Sequence, residues 1–202
     1  MAKEFVIRTM REAELEVAMD WAGREGWNPG LHDAEAFYRA DPAGYFVGLL
    51  SGAPVACISA VAYSDTFGFL GLYIVKPEHR GHGLGTKIWE GAPEHLDDRN
   101  VGHDGVAARQ ADYEKYGFRF VYRNWCYAGT FAIPDKPSGN IVDLKNVKTS
   151  KIVEYDSRCF RQSAAISSQG GSASNRAGRQ ATCQETGSQV TALCTPALQG
   201  SR

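Results

Sequence analysis

Residues Tyr73 to Glu90 read "YIVKPEHRGHGLGTKIWE". An apolar, β-branched run stops at Pro77, and Gly81, Gly83 and Gly85 then alternate with His82 and Leu84 before a helix-like segment. Strand, glycine turn and helix start together aim backbone N–H groups at an anion, and the helix dipole reinforces the attraction. Glycine suits such a turn where the chain needs positive φ or a ligand comes close. Taken alone, a turn of this kind is more commonly a plain chain reversal.

Two familiar phosphate motifs fail the spacing. A P-loop requires GxxxxGK[ST], whereas Lys87 here follows Thr86. A dinucleotide fingerprint requires GxGxxG at the first strand-to-helix turn. Here "GHGLG" is GxGxG, and it follows the fourth expected strand.

Outward from the turn, the pattern predicts an ordered set of elements. "EFVIRTM" alternates at period two and predicts a strand over about Lys3 to Thr9. Leu15, Ala18, Met19 and Ala22 fall at helical spacing, and that helix ends near Gly23 to Gly26. A short helix starts at Asp33 and stops before Pro42. "YFVGLL", "SGAP" and "VACISAVAYS" predict a hairpin, and "FLGLYIVKP" a fourth strand. The helix after the turn covers roughly Leu84 to Leu96, interrupted by Gly91 and Pro93. "DGVAARQ" reads as a short buried strand, "DYEKYGF" as a short helix and "FRFVYRNWCYAGTF" as a long aromatic strand. The order β-α-α-β-β-β-α-β-α-β predicts an α/β domain with a mixed sheet.

Composition narrows the function classes. A net charge of -1 gives no electrostatic case for nucleic acid or an anionic membrane surface. No run approaches ~18 consecutive apolar residues, so no membrane span is expected, and "MAKEFVIRTM" lacks the apolar core of a secretory signal. Cys57, Cys126, Cys159, Cys183 and Cys194 are scattered without metal-ligand spacing, so neither zinc nor a disulfide framework is expected. A reduced, cytoplasmic setting follows as the expectation. From Arg161 onward the chain is rich in Ser, Gly, Gln and Ala and holds no aromatic residue. It is expected to be disordered or poorly packed.

The turn resembles the acetyl-CoA motif of the GNAT N-acetyltransferase superfamily. That motif reads [QR]xxGxG[AG] after V-x-P-x-x, and "VKPEHRGHGLG" supplies Val75, Pro77, Arg80, Gly83 and Gly85. A second family signature, YEKxGF, stands here as "YEKYGF", Tyr113 to Phe118. Both lie in the family's order with a strand between them. The resemblance covers about residues 3 to 130, so residues 1–130 are expected to form the acetyltransferase domain. "IVEYDSRCF", Ile152 to Phe160, is similar to the link found in a subgroup with an additional C-terminal GNAT-like domain. There the similarity stops, which leaves 131–160 as a linker or start of an extension and 161–202 as an aberrant tail.

The resemblance implies a GNAT-like mixed sheet flanked by helices and splayed between its fourth and fifth strands. The pantetheine arm of acetyl-CoA would pair with Tyr73, Ile74 and Val75. Amides of Arg80, Gly81, His82, Gly83, Leu84 and Gly85 would cradle the pyrophosphate, with contacts from the Arg80 guanidinium and the Thr86 hydroxyl. Tyr113 would protonate the leaving thiolate, or it is a packed aromatic, and Tyr116 is expected to serve packing. The expected acceptor is an amine of a small molecule or peptide, and the expected assembly a monomer or homodimer, with no metal. "FGFLGLYIV" carries no carboxylate, so Asp65, Glu25, His32, His103 and ordered water all stay open as the base. Trp27, Trp125 and Tyr127 are candidates for the acceptor side or for plain packing. An acyl-CoA-binding or regulatory module without catalysis is the alternative, and nucleotide binding without acyl transfer is weaker.

Overall fold

The computed structural model describes residues 4–96, 99–125, 141–159 and 188–194. The expected order holds: β1 (Phe5–Thr9), α1 (Glu12–Arg24), α2 (Asp33–Ala40), β2 (Tyr45–Leu50), β3 (Ala53–Ala62), β4 (Phe67–Val75), α3 (Leu84–Gly91), β5 (Asn100–Val106), α4 (Gln110–Lys115) and β6 (Arg119–Trp125). A further helix, α5, spans Thr149–Cys159, and a further strand, β7, spans Ser188–Cys194. One seven-stranded sheet runs β1-β2-β3-β4-β5-β7-β6.

The hairpin between β2 and β3 turns on Ser51 and Gly52, both at positive φ (52° and 84°), the conformation whose twist matches the paired strands. The helix after the glycine turn breaks where Pro93 stands. Its α-helical part ends at Gly91, and Pro93–Leu96 continues as a 3-10 turn. The fifth strand differs from "DGVAARQ": it starts earlier, at Asn100, and Ala107–Arg109 winds into a 3-10 turn. Parallel pairing of Asn100–His103 with Phe67–Leu70 fixes this earlier start.

β7 occupies a place where the sequence suggested no element. It pairs antiparallel with β5 on one side and β6 on the other. Two backbone ladders place this segment in the sheet, although the tail around it is rich in Ser, Gly and Gln. The rest of the expected disordered tail lies outside the described residues, as do Cys126 and Tyr127.

Helices cover both faces of the sheet centre. Ala56, Ile58 and Ala60 of β3 join Leu70 against Leu84, Ile88, Trp89 and Leu96 of the α3 side. Cys57 and Val61 join Tyr45 and Val47 against Leu15, Ala18, Met19 and Ala22 of α1. This double covering explains why β3 is apolar at nearly every position rather than alternating. Each fully buried Leu or Ile here contributes roughly 1.5–3 kcal/mol.

One extra residue in β4 shapes everything downstream. Two steps along β3, from Cys57 to Ser59, face three along β4, from Gly71 to Ile74. Leu72 sits in this bulge at φ 46°. A bulge of one residue reverses which face each later side chain meets. Leu70 accordingly packs with α3, Ile74 with α1, and Tyr73 and Val75 return to the α3 side.

Candidate active site

Past Leu70 and His103 the parallel ladder between β4 and β5 ends. β4 continues along β3, while β5, paired with β7 from Val101 to Val106, keeps only that partner beyond His103. The two strands therefore part, as the resemblance implied. Lys76 N–H bonds Val55 O on β3 at 2.9 Å. The Val75 carbonyl, trans in the same peptide, must then point away from β3 and into the fork. Tyr73, two residues earlier, shares that orientation. Its backbone edge can accept an extended chain as an added strand.

At the end of β4 the glycine turn takes the shape that its composition suggested. Gly81 and Gly83 stand at φ 77° and 75°, and Gly83 is the N-cap of α3. The first helical bond runs from Lys87 N–H to Gly83 O at 3.2 Å. Leu84, Gly85 and Thr86 N–H groups thus have no carbonyl within the helix to reach. Gly85 has a different reason for being glycine: a Cβ there would lie 2.6 Å from Tyr73 Oη.

A cleft of about 690 Å³ joins fork and turn, within the range of small-molecule sites. Tyr73, Ile74, Val75, Arg80, Gly81, Gly83, Gly85, Thr86 and Tyr113 all line it. His82 and Leu84 do not. The His82 ring folds back onto its neighbour's backbone, with Nδ1 2.8 Å from Arg80 O, and Leu84 is buried in the core. The His82 ring is thus exposed and bonded within the turn, and its backbone amide is the part left to face the cleft side of the turn.

Trp89, four residues after Gly85 and so on the same face of α3, is a wall residue that the motifs did not reveal. Its ring lies 5.1 Å from Tyr73, 5.7 Å from Tyr113 and 5.4 Å from Tyr116. Tyr113 is 7% exposed, and its phenol is pushed up to about 12 by burial first and by neighbouring Tyr73 second. It holds its proton firmly at neutral pH.

The candidates for the base separate. Glu25 lines the cleft, whereas Asp65 and His32 do not; Trp27, a candidate for the acceptor side, also lines it. His103 is 2% exposed, its Nδ1 lies 3.1 Å from Leu70 O, and burial lowers its pKa. Glu25 is committed to Arg80 at 2.5 Å. Asp112, the other carboxylate on the cleft, bonds Lys115 and Arg109. Trp125 ends β6. Among the described residues, no group of three ligands suits a metal, and no helix is long and apolar enough to cross a membrane.

The acetyltransferase (GNAT) family model matches residues 9–118, which contain the fork, the turn and Tyr113. The chain belongs to the GNAT family. It is 38% identical over 146 residues to holothin acyltransferase of a Pseudoalteromonas species, covering 72% of this chain and 49% of that protein. The GNAT chain thus spans about half the length of that relative. A Pyrococcus horikoshii protein classed as an acetyltransferase superposes with a TM-score of 0.68 at 18% identity, covering 82% of this chain and 60% of its own. A Mycobacterium tuberculosis protein crystallised with CoA gives 0.55 at 14%, over 95% and 99% of the two chains. At these identities the two structures carry the fold alone.

Proposed function

We propose that this GNAT acyltransferase moves an acetyl group from acetyl-CoA to a primary amine of a small molecule or peptide. The observation that carries the reading is the open β4–β5 fork, ending in the glycine turn and walled by a buried Tyr113. The Tyr73–Val75 edge would bind the pantetheine arm, and the amides from Arg80 to Gly85 the pyrophosphate. The relative named for acylating holothin supports a small-molecule acceptor.

In the transfer, the amine nitrogen attacks the thioester carbon, the C–S bond breaks, and the ammonium proton leaves. A backbone N–H on the fork side of β4, near Val75, would stabilise the oxyanion. Tyr113 faces the departing sulfur. Moving its proton fully from about 12 to a thiol near 8.5 costs roughly 5 kcal/mol. Its effective role is therefore to donate a hydrogen bond as negative charge grows on sulfur, with the proton made up from the amine. Water is the acceptor of the amine proton, since both cleft carboxylates are ion-paired.

The same ion-paired carboxylates favour a second reading, an acyl-CoA-binding module without turnover. Free-thiol release from acetyl-CoA with a panel of small amines and amino-terminal peptides decides between them. Acetylation requires amine-dependent thiol release. A chain that binds acetyl-CoA but releases none above background across the panel is the module.

A further inference from the structure

Arg80 offers five N–H donors in a planar fork, and one edge of that fork is already occupied. Nε donates to Val75 O at 2.7 Å, and Nη2 donates to Glu25 Oε1 at 2.5 Å. The edge made by Nη1 and the outer N–H of Nη2 has no partner among the described residues, and Arg80 lines the cleft beside Gly81 and Gly83. Both anchors are fixed. Val75 O belongs to the end of β4. Glu25 is the C-cap of α1, followed by Gly26 at φ 81°, with Gly26 N–H bonding Gly23 O and Trp27 N–H bonding Ala22 O, each at 3.0 Å. This paired closure is a Schellman motif, which sets the direction in which the chain leaves the helix.

We propose that Glu25 is a positioning residue for phosphate binding. By accepting from Nη2 while Val75 O accepts from Nε, it turns the open Nη1/Nη2 edge of Arg80 toward the pyrophosphate and ties the Glu25–Gly30 loop to the cofactor turn. The proposal rests on the acetyl-CoA reading above. It makes a counterintuitive demand, because charge alone predicts that removing a carboxylate beside an anion site strengthens anion binding. A pinned guanidinium predicts the reverse, since its two parallel donors lose their aim when one side is released.

Calorimetric titration of CoA into wild type, Glu25→Ala, Glu25→Gln, Arg80→Ala and the Glu25→Ala/Arg80→Ala double variant tests this. Circular dichroism verifies the fold of each. Glu25→Ala is expected to weaken CoA about fivefold and Glu25→Gln about twofold, because the amide oxygen still accepts from Nη2. On the Arg80→Ala background, Glu25→Ala should add less than about twofold. S-acetylpantetheine, which lacks the phosphates, should bind all five proteins alike. Equal or tighter CoA binding by Glu25→Ala overturns the proposal, as does the full loss persisting without Arg80 or extending to S-acetylpantetheine. Failure of folded wild type to bind CoA instead overturns the cofactor reading, and this proposal with it.

Discussion

The rings of Tyr113 and His103 meet in a T-shaped contact, with centroids 4.3 Å apart and planes at 70°. Trp89 stacks on the same Tyr113 at 5.7 Å. His103 is also the last β5 residue paired with β4, so the fork's apex and the phenol are seated on one imidazole. Ring packing holds Tyr113 in place, together with a backbone hydrogen bond between Val106 and its hydroxyl.

Tyr113→Phe should keep the ring wall while removing the donor and the hydroxyl's bond with the Val106 backbone. Loss of a group that acts on the leaving atom costs about 100-fold in kcat, while CoA affinity should stay within about twofold. Steady-state thiol release together with a binding titration measures both. Equal turnover in the variant would leave Tyr113 as packing alone.

His103 makes the fold sensitive to mild acid. Nδ1 carries the proton donated to Leu70 O, and Nε2 is buried without a partner among the described residues. A second proton would place an N–H where the described residues offer no acceptor. Burial lowers the folded pKa below the ordinary 6.5, so the unfolded chain takes up a proton that the fold refuses. The stability from this site is fully present above about pH 6.5 and declines as pH falls toward the folded value. Thermal melts of wild type and His103→Phe from pH 8 to 5 should show their gap narrowing below pH 6.5. Parallel curves would remove His103 as the cause.

Gly83 and Gly85 should fail differently when changed to Ala. No atom lies within 4 Å of a Cβ at Gly83, so the cost there is its positive φ, roughly 1–2 kcal/mol. At Gly85 the Cβ meets Tyr73 Oη at 2.6 Å, whereas Tyr73 Cζ is 3.4 Å away. Tyr73→Phe should thus recover part of the stability lost in Gly85→Ala and none of that lost in Gly83→Ala. Denaturant titrations of the four variants check this, and equal behaviour of the pairs would refute the distinction.

Much of this architecture is legible in the sequence because periodicity and the two signatures test one another. The hairpin, the crossover helix and the glycine turn all carry local signals. Leu72 carries none: in "FLGLYIV" every residue is apolar or glycine, so an inserted residue leaves no break in alternation. The Glu25–Arg80 pair spans 55 positions, beyond the reach of helical or strand spacing. β7 is fixed by backbone ladders on both sides, and such pairing does not depend on a strong apolar pattern.

Cys57 reports on the bulge. Its thiol is fully buried, 3.1 Å from Leu72 O, and burial pushes its pKa up to about 12. Almost no thiolate exists at pH 8, so alkylation of Cys57 in the native state requires β3 and β4 to open. On the proposed reading, CoA lies along the outer edge of β4 and should favour the closed form. At a concentration 100 times its Kd it should stabilise that form by about 2.7 kcal/mol, slowing labelling about 100-fold if opening abolishes binding. Mass mapping of the Cys57 peptide after timed iodoacetamide exposure, with and without CoA, measures this. An unchanged rate at saturating CoA would mean that the bulge opens without disturbing the cofactor site.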